Sequence, residues 1–222
     1  MRALSQRRSN RRAPGRPRAA DDANQRERLL DAAIACYTAR GVAATSMRSI
    51  AVEAGVTPAL VNYYFGSKER LLDAVVEERL MPAAAALARR LETSGDDPQA
   101  IAAAFVRGMH DTVAELPWLP SLWVREILTE GGALRGTLFE RIAPLVPQPL
   151  VRRLAAARRA GKLGKDLDPR LLVVSLMGLT MFPLAAASLW RRAFDAADVD
   201  APALVRHTLA LLEHGLGASD ED

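Results

Sequence analysis

A chain of 222 residues can bury a sizeable core, and a composition half apolar and one quarter charged is that of a soluble globular protein, not a fibrous or disordered one. The single cysteine, Cys36, excludes an internal disulfide and fits a reducing cytoplasm, and no apolar leader opens the chain. The net charge of +4 is unevenly placed: residues 1–20 hold seven arginines and no acid, so taking +7 from +4 leaves −3 on the rest. Such a tail is too poor in apolar side chains to fold alone and attracts a polyanion. Its end, "PGRPR" at 14–18, carries Arg16 and Arg18 on a proline-stiffened strip able to follow a minor groove, with a solvated terminus as the alternative.

Beyond the tail the chain predicts helix almost throughout, with apolar residues at i, i+3, i+4 and i+7 and no sustained alternation of period two. A first helix is expected over about 24–40, opened by a capping box of Asn24 and Glu27 and closed by Gly41, with Leu29, Leu30, Ala33, Ile34, Cys36 and Tyr37 facing inward. A short second helix, about 47–54, has Ser46 as N-cap and Gly55 as its stop. The third starts with Thr57 as N-cap and Pro58 in its first turn and runs to about Tyr64. Ser67 caps a fourth, with a stripe of Leu71, Leu72, Val75, Val76 and Leu80, which Pro82 should kink.

Two short helices joined by a glycine turn make a helix-turn-helix. Ile50, Ala54, Val56 and Val61 form its expected buried seam, which turns Ala59, Asn62, Tyr63 and part of Tyr64 outward. In "GVTPALVNYYFGSKERLL" (55–72) the core needs one ring, Phe65, so Tyr63 and Tyr64 are better explained as amphipathic posts whose hydroxyls reach phosphates. Asn62 is the candidate base reader, its amide matching adenine, while Pro58 and Ala59 suit a thymine methyl. Thr45, Ser46 and Arg48 at the start of the second helix, Thr57 at the third and Lys68 at the fourth are candidate phosphate contacts.

The stretch "TSMRSIAVEAGVTPALVNYYFGSKERLL" resembles the DNA-binding segment of the TetR/AcrR family of bacterial transcriptional regulators, over about residues 25–80. The resemblance implies an all-α homodimer, with an N-terminal three-helix DNA-binding unit and a C-terminal helical domain for ligand binding and dimerisation. It also implies phosphate contacts at Thr45, Ser46, Tyr63, Tyr64 and Lys68, and base contacts at Ala59 and Asn62. Asn62 stands where the family commonly has tyrosine, and Tyr64 where histidine is common.

Four regions are expected: a basic tail at 1–20, the DNA-binding domain at 21–70, a regulatory and dimerisation domain at 71–217, and an acidic tail at 218–222. In the regulatory part, Asp97 and Pro98 open a helix over about 98–115, and "LPWLP" (116–120) precedes a short helix through Leu122 and Ile127 that Gly131 and Gly132 end. Residues 133–161 form helix broken near Pro147 and Pro149; Asp168 and Pro169 open a long helix to about 192; Pro202 opens the last, ending near Gly215. Phe105, Met109, His110, Trp118, Trp123, Met177, Met181 and Phe182 are candidate walls of a pocket for a small apolar or aromatic effector, with ordinary core packing as the alternative.

"LLVVSLMGLTMFPLAAASLW" (171–190) has no charge and meets the length rule for a membrane span. Asp166 and Asp168 before it and Pro183 within it favour a buried dimer helix instead, with Leu172, Leu176, Leu179 and Leu184 at the two-fold, joined by Leu204, His207 and Leu211 of the last helix. No nucleotide loop, nucleophile elbow or zinc-protease pattern is present, and His110, His207 and His214 are scattered, so neither catalysis, a metal nor a cofactor is expected. The reading is a cytoplasmic, ligand-responsive regulator, most simply a repressor, that binds a near-palindromic double-stranded DNA operator as a homodimer. The alternative is an architectural or partner-bridging DNA-binding protein that senses nothing.

Overall fold

The computed structural model describes residues 19–215. Arg16, Arg18 and both expected tails, apart from the first tail's last two residues and the helix end before the second, lie outside them. Every regular element among the described residues is helical. Helix α1, Ala19–Arg40, starts five residues ahead of the expected Asn24 cap. No glycine, proline or β-branched residue interrupts its first turns, so propensity carries the helix through the proposed capping box. Helices α2 (Met47–Glu53) and α3 (Pro58–Phe65) follow, then α4 (Lys68–Val75), opened by Ser67, whose Oγ accepts the Arg70 amide at 3.3 Å.

Pro82 acts as the sequence suggests, though one turn early and without ending the helix. Lacking an amide hydrogen, it cannot bond the Glu78 carbonyl, and the chain passes from α4 through a π-helical turn, Val76–Leu80, into α5, Met81–Glu92. Arg79 donates to the Glu78 carbonyl at 3.3 Å and pairs with Glu27 of α1, while Arg26 of α1 grips the Glu78 carboxylate. With Asp31 of α1 also 3.6 Å from Arg79, the irregular turn is tied to α1 by three ion pairs.

The remaining helices are α6 (Pro98–Glu115), α7 (Leu119–Trp123) with a π-helical turn Val124–Leu128, α8 (Arg135–Thr137) with another at Leu138–Ile142, α9 (Pro147–Arg159), α10 (Pro169–Ala185), α11 (Ala187–Ala193) and α12 (Ala201–Gly215). Asp97 caps α6 through the Ala100 amide at 2.8 Å, and Asp168 caps α10 through that of Arg170 at 2.8 Å. The long helix expected to reach 192 is broken: α10 ends at Ala185 and α11 leaves at 75°. Pro183 removes a donor from the last turn, and Trp190 Nε1 folds back to donate to the Pro183 carbonyl at 2.8 Å, which closes the bend. Among the described residues no single helix is long and apolar enough to cross a membrane, because the run at 171–190 is split by this corner.

Two apolar cores organise the chain. The first gathers Leu29, Tyr37, Ile50, Val61 and Phe65 with Leu71, Val75 and Leu80, and takes in Leu122 and Leu134 from the middle of the sequence. The second joins α5, α6, α9 and α10 around Leu91, Phe105, Leu154 and Leu176. The expected division at residue 70 therefore falls inside packing shared by α1 and α4: the first core runs on to Leu80, because the apolar stripe of α4 has nothing else to cover it.

Candidate nucleic-acid interface

Helices α2 and α3 are set against α1 by small and β-branched side chains. Ile50, Ala51 and Val61 are fully buried, and Val56 packs at their edge. The corner between the helices needs Gly55, whose φ of +67° is one that side chains resist. Ser46 and Ser49 cap α2 reciprocally, the Ser46 Oγ accepting the Ser49 amide at 3.1 Å and the Ser49 Oγ accepting the Ser46 amide at 3.0 Å. Thr57 occupies the N-cap position of α3 with Pro58 next to it, but its hydroxyl makes no cap bond and is exposed.

With Val61 and Phe65 inward, the opposite face of α3 carries Pro58, Ala59 and Asn62, all exposed, and Tyr63, of which 78% is open to solvent. Ser46 and Arg48 are likewise exposed on α2. Tyr63 stands edge-on to Tyr64, ring centroids 5.3 Å apart. An amide, a phenol and small apolar groups on one convex helix face are the chemistry that reads base edges and backbone in a groove.

Three residues expected at phosphates are otherwise engaged. Thr45 is 2% exposed, and its hydroxyl donates inward to the Gly41 carbonyl at 2.7 Å, locking the turn between α1 and α2. Lys68 spends its ammonium on the carbonyls of Val42, Ala43 and Thr45 at 2.9, 3.2 and 2.9 Å, one for each proton, so it holds that same turn instead of offering a free charge. Tyr64 donates its hydroxyl to Asp22 of α1, which pushes the phenol pKa up to about 12. Each correction has one cause: a polar group expected to face outward found a partner within the protein, close in sequence for Thr45 and distant for Lys68 and Tyr64.

Behind the reading head lies a cavity of about 120 Å³. Phe105, Met109, Trp123, Met177 and Met181 line it, and so do Leu80 at the end of the first core, Ile127 and Leu134. Its one hydroxyl, that of Thr112, gives its proton to the Gly108 carbonyl at 2.8 Å, so apart from the indole of Trp123 the wall offers a ligand hydrocarbon and sulfur. Three residues expected there lie elsewhere. His110 is buried on α6, where desolvation holds its pKa below the usual histidine value. Trp118 borders a shallow surface depression against α1, and Phe182 is 67% exposed on α10.

The candidate dimer residues also divide. Leu172 and Leu176 are buried within their own chain and cannot meet a partner; Leu179, Leu184 and Leu204 are half-buried, and His207 and Leu211 are exposed. The stripe that faces out instead is Leu171, Val174 and Phe182, which the sequence reading passed over. In a helix apolar on every side, periodicity has no polar face to set the phase, so nothing in the sequence could have found it.

A helix-turn-helix with an exposed polar and aromatic face is joined here to a helical body that holds an apolar cavity. Residues 29–75 match the family described as "Bacterial regulatory proteins, tetR family". Among curated relatives, the HTH-type transcriptional regulator BetI of Rhizobium meliloti is 46% identical over 56 residues, covering 25% of this chain and 28% of that one. BetI of Burkholderia thailandensis is 32% identical over 87 residues, covering 39% and 45%. The matched stretch thus spans less than half the length of these relatives.

Over nearly its whole described length the chain shares the fold of the ketosteroid transcriptional regulator KstR2 of Mycobacterium tuberculosis, with a TM-score of 0.69 at 20% identity over 88% of this chain and 96% of that one. It also shares the fold of SmeT in its triclosan complex, with a TM-score of 0.57 at 24% identity over 85% and 91%. Over residues 29–75 the chain is thus similar to the TetR family, and over nearly all its described length it shares the fold of these regulators.

Proposed function

We propose that the protein is a ligand-responsive transcriptional regulator of the cytoplasm, most simply a repressor, that binds a near-palindromic operator as a homodimer. The observation that carries DNA reading is the two-sidedness of α3: Val61 and Phe65 are buried while Ala59, Asn62 and Tyr63 stand exposed together. The apolar cavity supports a small apolar or aromatic effector over the architectural alternative, because a protein that only bends or bridges DNA has no use for a void in its core. The triclosan held by SmeT is a ligand of that character. The exposed Leu171, Val174 and Phe182 of α10 support dimerisation, since water leaves such a stripe at a cost that a second copy removes.

Selection from a randomised duplex DNA library with the full chain tests the reading. An inverted repeat should be enriched, and Asn62→Ala should lose about 1–3 kcal/mol on it and relax preference at one position in each half-site, with the melting temperature unchanged. A library returned without enrichment would refute sequence-specific binding. An identical profile from Asn62→Ala would take Asn62 off the reading face.

A further inference from the structure

Glu126 is a carboxylate with no ion pair among the described residues, and yet it is buried. Its two oxygens are satisfied by two backbone amides, one 84 positions away in the sequence and one 7 positions away. Oε1 accepts the Val42 amide at 2.8 Å, and Oε2 accepts the Ala133 amide at 3.0 Å. Burying a charge is costly unless it is well bonded, and two charge-assisted bonds to fixed amides are a strong form of such bonding.

The neighbourhood is built to permit this contact. Gly41 lies so close that a Cβ there would stand 3.1 Å from Oε1, and its φ of +86° delivers the Val42 amide. On the other side Gly132 sits against the Glu126 backbone, where a Cβ would come within 2.3 Å of the carbonyl oxygen, so the loop folds back far enough for the Ala133 amide to reach Oε2.

What the carboxylate joins gives the contact its meaning. Val42 opens the turn whose carbonyls Lys68 grips and whose end, Ser46, caps α2. The turn thus lies directly upstream of the reading helices. Glu126 belongs to the π-helical turn Val124–Leu128, and its flanking residues Trp123 and Ile127 line the cavity, as does Leu134 beside Ala133. A π-turn is a local under-winding, a bulge carried inside a helix without unfolding it. A ligand that displaces Trp123 or Ile127 moves the same short segment that holds the Val42 amide.

We propose that Glu126 is a positioning residue that couples occupancy of the apolar cavity to the placement of the reading head, through its bond to the Val42 amide. The proposal rests on the ligand-responsive reading above. Benzene is a suitable probe, because a hydrocarbon-lined cavity of this order of size accepts it. The full-length wild type and Glu126→Gln are titrated with benzene by amide NMR, and their affinity for the selected operator is measured with and without it. Glutamine keeps the shape of the side chain but cannot accept both amides as a carboxylate does, and benzene binding together with helix content reports that the variant is folded.

In the wild type, benzene should shift the Val42 and Ala133 amide resonances and change operator affinity about fivefold or more. In Glu126→Gln, benzene should still bind, while the Val42 shift disappears and the change in affinity falls below about twofold. An equal response of operator affinity in both proteins overturns the Glu126 link alone. A saturated wild type whose Val42 amide does not move overturns it without recourse to any variant. A wild type that binds no benzene, or binds it with no change in operator affinity, refutes the ligand-responsive reading and the link with it.

Discussion

At the residue scale, polar groups near the reading head divide by partner. Among the described residues Asn62 and Tyr63 make no side-chain bond to another helix and remain exposed, whereas Lys68 is bound to three carbonyls of the turn before α2. Lys68→Met should therefore lower stability by about 1–2 kcal/mol in thermal unfolding, as lost charge-assisted bonds do. It should leave the slope of log affinity against log salt unchanged; a Lys68 bound to phosphate would take about 0.9 from that slope. Tyr64 gives a pH test with a definite sign. Its hydrogen bond to Asp22 favours the neutral phenol, so the contact is intact below the ordinary tyrosine value near 10 and is lost as pH rises through about 12. The phenolate absorbance missing from Tyr64→Phe should accordingly titrate near 12; a midpoint near 10 would show that the bond does not hold in solution. None of these partners was legible in the sequence, since Tyr64 and Asp22 stand 42 positions apart and Lys68 and Val42 stand 26 apart.

Elements tell a different story, because their signals are local. Ser46, Pro58, Ser67, Asp97 and Asp168 mark helix starts where expected, and glycines at 41, 55 and 66 mark stops or turns by a positive φ. Local signals misled in two places: at Asn24, where strong helix formers upstream overrode a cap, and at Ala186, where Pro183 and the returning Trp190 ended a helix that composition would have continued. The facing of α10 gives the prediction at this scale. Val174 is exposed within its own chain and Leu176 is fully buried. Val174→Arg should keep the protomer folded yet place like charges across the two-fold, at a cost of about 3–5 kcal/mol, and yield a monomer by light scattering with weakened operator binding. Leu176→Arg should instead abolish folding. A dimeric Val174→Arg would move the interface off this stripe.

For the whole molecule, charge is unevenly placed: residues 1–20 hold seven arginines and no acid, and the remainder leans acidic. Each phosphate neutralised by the tail adds about 0.9 to the salt slope, so removal of residues 1–18 should flatten it and weaken all DNA sequences together while preserving most of the preference. An unchanged slope would leave the tail a solvated terminus. The sequence by itself determined the helical class, the helix-turn-helix with its outward Asn62 and Tyr63, the similarity of residues 29–75 to the TetR family, and part of a cavity wall in Phe105, Met109, Trp123, Met177 and Met181. All of these rest on periods, caps and spacings within a few tens of residues. Only the tertiary structure decided which polar groups are free, which face of α10 lies outward, that Trp118 and Phe182 miss the cavity, and that Glu126 reaches the turn before α2. Those outcomes depend on contacts between residues far apart in the chain, where a side chain's partner is set by how helices pack and not by the residues beside it.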